Sequence, residues 1–237
     1  MVIDDNSLNA LLIKGELAVT GRLVDASNAT LFGHIDFNAE SVEVIYKPIA
    51  GERPLWDFPN GTLAAREVAA YHLSQFGGFH IVPVTIFRDG PFGPGAVQRW
   101  IEVDEEVDII SLAQSQNFQL RKMALFDAIV NNTDRKIGHL LPDRNGQVFG
   151  CDHGVCFHEE DKLRTVLWQW MGEEMTVHER VQLQSMLDRF EEFGEKVRTL
   201  LTDAEIVATK NRITRVLDEG CFPSPSEEWP PVPWPPI

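Results

Sequence analysis

The spacing of apolar residues changes once along this chain, at the acidic stretch "DEEVD", residues 104–108. Upstream, "ELAVTGRLV" from Glu16 and "VEVIYKP" up to Pro48 are short runs rich in valine and isoleucine, the pattern of strands, separated by "DASNATLFGHIDFNAES". After the turn-rich "PLWDFPNG", Thr62 is placed to cap "LAAREVAAYHLSQF". Its Leu63, Val68, Ala69, Leu73 and Phe76 recur at helical spacing, and Gly77-Gly78 ends it. "HIVPVTIFRDG" and "GAVQRWIEV" are strand candidates joined by a Gly/Pro turn. Downstream, "FQLRKMALFDAIV", "VHERVQLQSMLDRFEEF", "EKVRTLL" and "DAEIVATKNRITRVL" carry helical periods, the last opened by Thr202 or Asp203 as a cap. Among them, "HLLPDRNGQVFGCD" reads as a hairpin turning at Arg144-Asn145-Gly146, because an Asn-Gly pair tolerates the positive φ of tight turns. Strands before the link and helices after it predict an α+β chain. A β-rich unit extends to about residue 103, a mainly helical unit covers 104–220, and a proline-rich tail covers 221–237.

The chain has 237 residues, 43% of them apolar, enough for one large domain or two lobes sharing a cleft. Its 21 basic and 36 acidic residues give a net charge of -15, which argues against nucleic acid or an anionic membrane surface as partner. The start, "MVIDDNSLNALLIKGEL", lacks the basic flank and long apolar segment of a secretory signal, and no stretch approaches a membrane span. Cys151, Cys156 and Cys221 are too few and too unevenly placed for a disulfide framework. A cytoplasmic protein is expected. No Gly-x-Ser-x-Gly elbow, Gly-x-x-x-x-Gly-Lys loop or His-Glu-x-x-His helix occurs, so hydrolase, P-loop and zinc-protease chemistry has no support.

Five features stand in a definite order. Lys47 closes a strand in "VIYKP", Glu67 lies mid-helix in "AAREVAAY", and "VQRWIEV", with Trp100 and Ile101, ends the last strand before the link. Asp134 follows in "NNTDRKIGH", and Asp152 in "FGCDHGVCF". Taken singly, Lys47 is a solvated strand-end lysine with its stem in the sheet, and Glu67 a surface glutamate beside Arg66. Taken together, they are the groups phosphoryl transfer needs: a lysine and its glutamate to hold phosphates, an aspartate to orient the attacking hydroxyl, and oxygen ligands for a metal.

"FDAIVNNTDRKIGHLL" followed by "GCDHG" resembles the catalytic loop and metal-binding segment of the phosphatidylinositol 3-/4-kinase-like superfamily, with loop motifs nearest in pattern to type II phosphatidylinositol 4-kinases. With "GRLVDASNATL", "YKPIAGERPLWDFP", "REVAAYHLS" and "VPVT", the chain over roughly residues 10 to 160 is similar to an actinobacterial branch of that superfamily. The resemblance implies a two-lobed protein-kinase-like fold and an ATP-dependent phosphotransferase with magnesium or manganese. Lys47 would grip the phosphates with Glu67 as its ion-pair partner, and Asp134 would be the catalytic aspartate. Asp152 would hold the metal, Asp127 would brace the loop, and Asn132 would shape its turn. Trp100 and Ile101 would offer backbone groups to an adenine edge. The acceptor is a hydroxyl of a protein, small molecule or lipid.

Two departures from the family pattern matter. "VDASNATLF" lacks repeated glycines, so Ser27, Asn28 and Thr30 either reach phosphate oxygens or form a hairpin turn stabilised by Asp25 and Asn28. His139 stands where relatives carry a metal-binding asparagine, and an imidazole suits manganese better than magnesium. The enzyme then works with manganese, or with one magnesium held mainly by Asp152, or it is a catalytically weak nucleotide-binding pseudokinase or scaffold. Transfer of AMP on the same fold is a further alternative. His139, Cys151, His153, Cys156 and His158 could instead make a zinc site, although no close Cys-x-x-Cys pair occurs. The tail "FPSPSEEWPPVPWPPI" is expected to be extended, as a disordered end, a strap packed through Trp229 and Trp234, or the ligand of a proline-recognising partner.

Overall fold

A computed structural model describes residues 5–23 and 28–237. Helix α1 (Asp5–Lys14) leads into strand β1 (Glu16–Arg22), followed by β2 (Leu31–Phe37) and β3 (Glu40–Pro48). Helix α2 (Leu63–Phe76) precedes the hairpin β4 (Thr85–Gly90) and β5 (Gly93–Arg99). These strands make one antiparallel sheet in the order β1-β2-β3-β5-β4. Beyond the acidic link come α3 (Ile109–Ala113), α4 (Phe118–Val130), the small hairpin β6 (Leu140–Pro142) and β7 (Val148–Gly150), then α5 (Val177–Asp188), α6 (Phe190–Val197) and α7 (Asp203–Glu219). The expected change from strands to helices at residues 104–108 is therefore present. The link is clamped to the small hairpin by a bridge from Val103 to Asp143 and by Asp104 N–H donating to Pro142 O at 2.8 Å.

Three elements differ from the sequence expectation by being present at all. Helix α1 buries Leu8, Leu11 and Leu12, and Arg88 donates to the carbonyls of Leu12 and Gly15 at its end. Strand β2 forms within the segment read as a connection. Gly33 is required there, because a Cβ would come within 2.2 Å of the Ala18 carbonyl oxygen on β1. Helix α3 is capped by Asp108, whose carboxylate accepts from the N–H groups of Ile110 and Ser111. The strand expected through Trp100 and Ile101 stops at Arg99. The helix expected over "VHERVQLQSMLDRFEEF" breaks at Arg189, and beyond the break Phe193 meets Phe76 of α2 with ring centroids 5.7 Å apart.

The main apolar cluster is continuous from Leu8 to Phe222 and has α4 at its centre. Met123, Phe126, Ile129 and Val130 of that helix are fully enclosed, as expected of a helix apolar on most of its circumference. Phe126 meets Phe79 edge-on at 5.2 Å, which ties α4 to the loop after α2. Among the described residues, no helix is long and apolar enough to cross a membrane.

Thr202 caps α7 in a reciprocal box with Glu205. Thr62 occupies the cap position of α2, yet its side chain makes no cap bond and donates to Pro59 O instead. The cap comes from Glu52, whose carboxylate accepts from the N–H groups of Leu63 and Ala64 at 3.3 and 2.8 Å. A carboxylate there also complements the positive end of the helix dipole. Glu52→Ala is expected to lower the unfolding free energy by about 1 kcal/mol, and Thr62→Ala by less, as urea denaturation will read.

Candidate active site

Lys47 sits near the end of β3, paired with Ala96 of β5. The two strands approach closely here because residue 95 is glycine: a Cβ would lie 2.4 Å from the Lys47 carbonyl oxygen. The ammonium contacts Glu67 Oε1 of α2 and lies 2.9 Å from Asp152 Oδ1. Burial alone would depress the Lys47 pKa, but the carboxylates of Asp152 and Glu67 outweigh it and hold the lysine above its ordinary value. The same ammonium, against burial and helped by His139, holds the Asp152 carboxyl well below the usual carboxylate range. Glu67 is 2% exposed. Burial pushes its carboxyl up while Lys47 pulls the other way, and its second oxygen accepts from His153 N–H at 3.1 Å.

Asp152 follows β7 with φ +59°, a left-handed conformation that few non-glycine residues adopt. That turn directs its carboxylate to Lys47 on one side and His139 on the other, where His139 Nε2 lies 3.5 Å from Asp152 Oδ2. Strain of this kind collects at functional sites. His139 ends the short 3-10 turn Ile137–His139, and Cys151 N–H donates to its carbonyl. Burial lowers the imidazole pKa to about 4, so it is neutral at pH 7 and has a lone pair to offer. Asp134, His139 and Asp152 each present one ligand atom, all within 4.8 Å of one another. Two carboxylate oxygens and one neutral imidazole nitrogen fit a divalent cation, with manganese better served than magnesium. Burial raises the Asp134 pKa and Lys136, 3.2 Å away, opposes the shift.

The loop that carries Asp134 hangs from a buried charge pair. Asp127 of α4 and Arg135 are both 0% exposed. Arg135 donates to both Asp127 oxygens, Nε to Oδ2 at 3.0 Å and Nη2 to Oδ1 at 2.9 Å. Nη1 donates to the Cys151 carbonyl, just before Asp152. Asn132 donates to Asp127 Oδ1 and accepts from Asp134 N–H, each at 3.0 Å. Asn131 ends α4 in the left-handed conformation, φ 53°. The family resemblance points to Asp127 and Asn132 among these partners, whereas Arg135 and Arg66 have no local signal beyond adjoining Asp134 and Glu67. Arg66, next to Glu67, points the other way, to the Cys156 carbonyl at 2.8 Å and to the Glu205 carboxylate of α7.

Ser27 lies outside the described residues. Asn28 Oδ1 accepts from Arg53 N–H at 2.8 Å, in the connection after β3, and the buried Thr30 takes Leu23 N–H on its carbonyl across the ends of the β1–β2 connection. Trp100 N–H donates to Glu43 O at 2.9 Å, and Ile101 is buried. The cysteine-histidine cluster does not assemble. Among the described residues, the ligand group found is Asp134, His139 and Asp152. Burial pushes the Cys151 thiol up to about 12 and the Cys156 thiol up as well. His153 Nε2 faces Arg135 Nη2 at 2.6 Å, and His158 packs on Phe58. A cavity of about 350 Å³ lies under the β3–α2 connection, lined by Ile49, Arg53, Phe58 and neighbours, and none of the clustered ionisable groups faces it.

The fold and site define a mixed α+β protein in which a partly buried lysine joins two carboxylates beside a carboxylate-histidine ligand group. Over 96% of its length the chain is 39% identical to Protein Rv2133c of Mycobacterium tuberculosis, of which 94% is covered, and it belongs to the family of that protein. No family model matches it. Among solved structures it is similar to the Helicobacter pylori proinflammatory kinase CtkA, with TM-score 0.47 and 13% identity over 89% of this chain and 94% of that one.

Asp127→Ala leaves the Arg135 guanidinium buried without its counter-charge, and is expected to cost about 3–5 kcal/mol of stability in denaturant unfolding. Lys136→Ala, which removes a partly exposed pair, should cost under about 1 kcal/mol. A second expectation concerns pH. The folded His139 pKa lies below the unfolded value of 6.5, so its contribution to stability is complete above pH 6.5 and is lost as pH falls toward 4. His139→Asn should make the decline in urea midpoint over that window shallower.

Proposed function

We propose that this protein is a two-lobed, kinase-like phosphotransferase that moves the γ-phosphoryl of ATP to a hydroxyl of its acceptor. The observation that carries the reading is the Lys47 ammonium held between Glu67 and Asp152, with Asp134 and His139 grouped around Asp152. A lysine fixed by a glutamate from a neighbouring helix is a positioned cation for phosphate oxygens, which exchange for Asp152 when a nucleotide enters. Lys47 neutralises charge that builds up on the phosphates, and its position costs no reorganisation during transfer. Asp134 orients the acceptor hydroxyl and takes its proton. The hydroxyl oxygen bonds to the γ-phosphorus while the bond from that phosphorus to the β–γ bridging oxygen breaks and ADP leaves. The raised Asp134 pKa suits a group that must accept a proton.

Asp152 and His139 would hold a divalent cation, with the Asp134 carboxylate beside it left to the acceptor hydroxyl, and the cation would supply further neutralisation of the phosphates. His139 Nδ1 stands 3.4 Å from Lys136 N–H, a long contact that an imidazole coordinating through Nε2 would give up by carrying its proton on Nδ1.

ATP with manganese, and less so with magnesium, is expected to raise the melting temperature. If neither does, the nucleotide reading fails. Asp134→Ala should keep the melting shift and lose transfer by about 10²-fold or more, while Lys47→Met should lose both. His139→Asn should move the metal preference toward magnesium, and no movement would show that the histidine is not a ligand. Label must pass from the γ and not the α position of ATP; label from the α position would make this an AMP transferase instead.

A further inference from the structure

Residues 230–236 read Pro-Pro-Val-Pro-Trp-Pro-Pro, with five prolines in seven residues. Proline has no N–H, so such a segment pairs mainly through its carbonyls and needs a surface that offers donors. The helical half supplies them. Pro231 O accepts from Thr165 N–H at 3.0 Å and from Trp168 Nε1 at 2.8 Å, and Pro236 O accepts from Ile137 N–H at 2.8 Å.

These donors belong to the site. Thr165 is bridged in parallel to Arg135, the residue after Asp134, and Ile137 begins the turn that ends at His139. The tail thus runs along the outer edge of the loop from Asp134 to His139. At its start, Trp229 stacks on Trp56 with ring centroids 6.2 Å apart, and the Lys162 ammonium lies 4.8 and 4.9 Å from the two rings. The attachment is shallow. Within residues 230–237 only Pro233 is buried, and Trp234 is 85% exposed. Phe222, by contrast, belongs to the main core, so the chain beyond Pro223 can leave without opening the interior.

We infer that the edge formed by Ile137, Thr165 and Trp168 is the docking groove for an extended, proline-containing segment of a polypeptide acceptor, and that the chain's own tail fills it as an intramolecular competitor. The inference rests on the phosphotransferase reading and gives it a substrate class: a serine or threonine hydroxyl presented on an extended chain. Two main-chain N–H groups and one indole N–H spaced along one edge favour such a chain over a compact small molecule, because each bond goes to a backbone carbonyl and makes no demand on the side chains of the bound segment.

The test uses the full chain with a protease site inserted at the exposed Ser226, cleaved after folding, with loss of the tail verified by mass spectrometry. The probe is a fluorescein-labelled peptide of residues 227–237, EEWPPVPWPPI. Fluorescence anisotropy should show saturable binding to the cleaved protein and little to the intact one. Trp168→Phe keeps the ring but removes the Nε1 donor, and should weaken binding about five-fold, the effect of one hydrogen bond. With ATP and manganese, the V232S form of the peptide should be phosphorylated by the cleaved protein and at least several-fold more slowly by the intact one. Equal binding to both forms, or binding to neither, overturns the groove. Binding without phosphorylation of the V232S peptide, while the protein still hydrolyses ATP, overturns the acceptor assignment. The melting shift with ATP separates the two levels: with no shift the nucleotide reading falls and takes the acceptor with it, whereas a shift without peptide binding sinks the groove alone.

Discussion

The structure turns on a single ammonium group. Lys47 belongs to the sheet, Glu67 to the helix laid against it, and Asp152 to the turn after the small hairpin of the helical half, so one side chain joins three elements far apart in sequence. A charge taken out of water is costly unless it is paired, and each element has to be placed well enough for the pairing to exist. The sheet does so by letting β5 approach β3 at Gly95. The turn does so by accepting a left-handed aspartate. The helical half does so through Asp127 and Arg135, which fix the loop and the Cys151 carbonyl together.

Much of this was legible before any coordinates. The change from strands to helices at residues 104–108, the helix ending at Val130 and the turn at Gly146 follow from local patterns of apolar spacing and turn chemistry. Lys47, Glu67, Asp134 and Asp152 could be picked out through their order along the chain, and His139 through the family pattern it departs from, and the structure brings their side chains together. Helix α1 and strand β2 were present in the sequence as well, in Leu8, Leu11 and Leu12 at helical spacing and in the alternation Leu31, Gly33, Ile35, Phe37. The glycine at the centre of β2 hid the strand, since its need is set by the neighbouring strand and not by its own.

What could not be read depends on distance along the chain. Glu52 caps a helix that begins eleven residues later, and no local capping pattern announces it. Arg66 finds Glu205, 139 residues away. Asn28 accepts from Arg53 N–H, 25 residues further on and beyond two strands. The cysteines and histidines between 139 and 158 are close in sequence, but the left-handed Asp152 and the pull of Arg135 on His153 send them to different neighbours.

Arg66 and Glu67 are consecutive residues of α2, both buried, each tied to a partner on a different side of the helix. Rotating or sliding α2 to separate Lys47 from Glu67 would also pull Arg66 from Glu205 and strand two charges in the interior. The helix therefore has no inexpensive second position, and the ion pair of Lys47 with Glu67 is a standing assembly. Control of a protein built this way falls on what is allowed to reach the assembled groups, since the groups themselves cannot readily be taken apart.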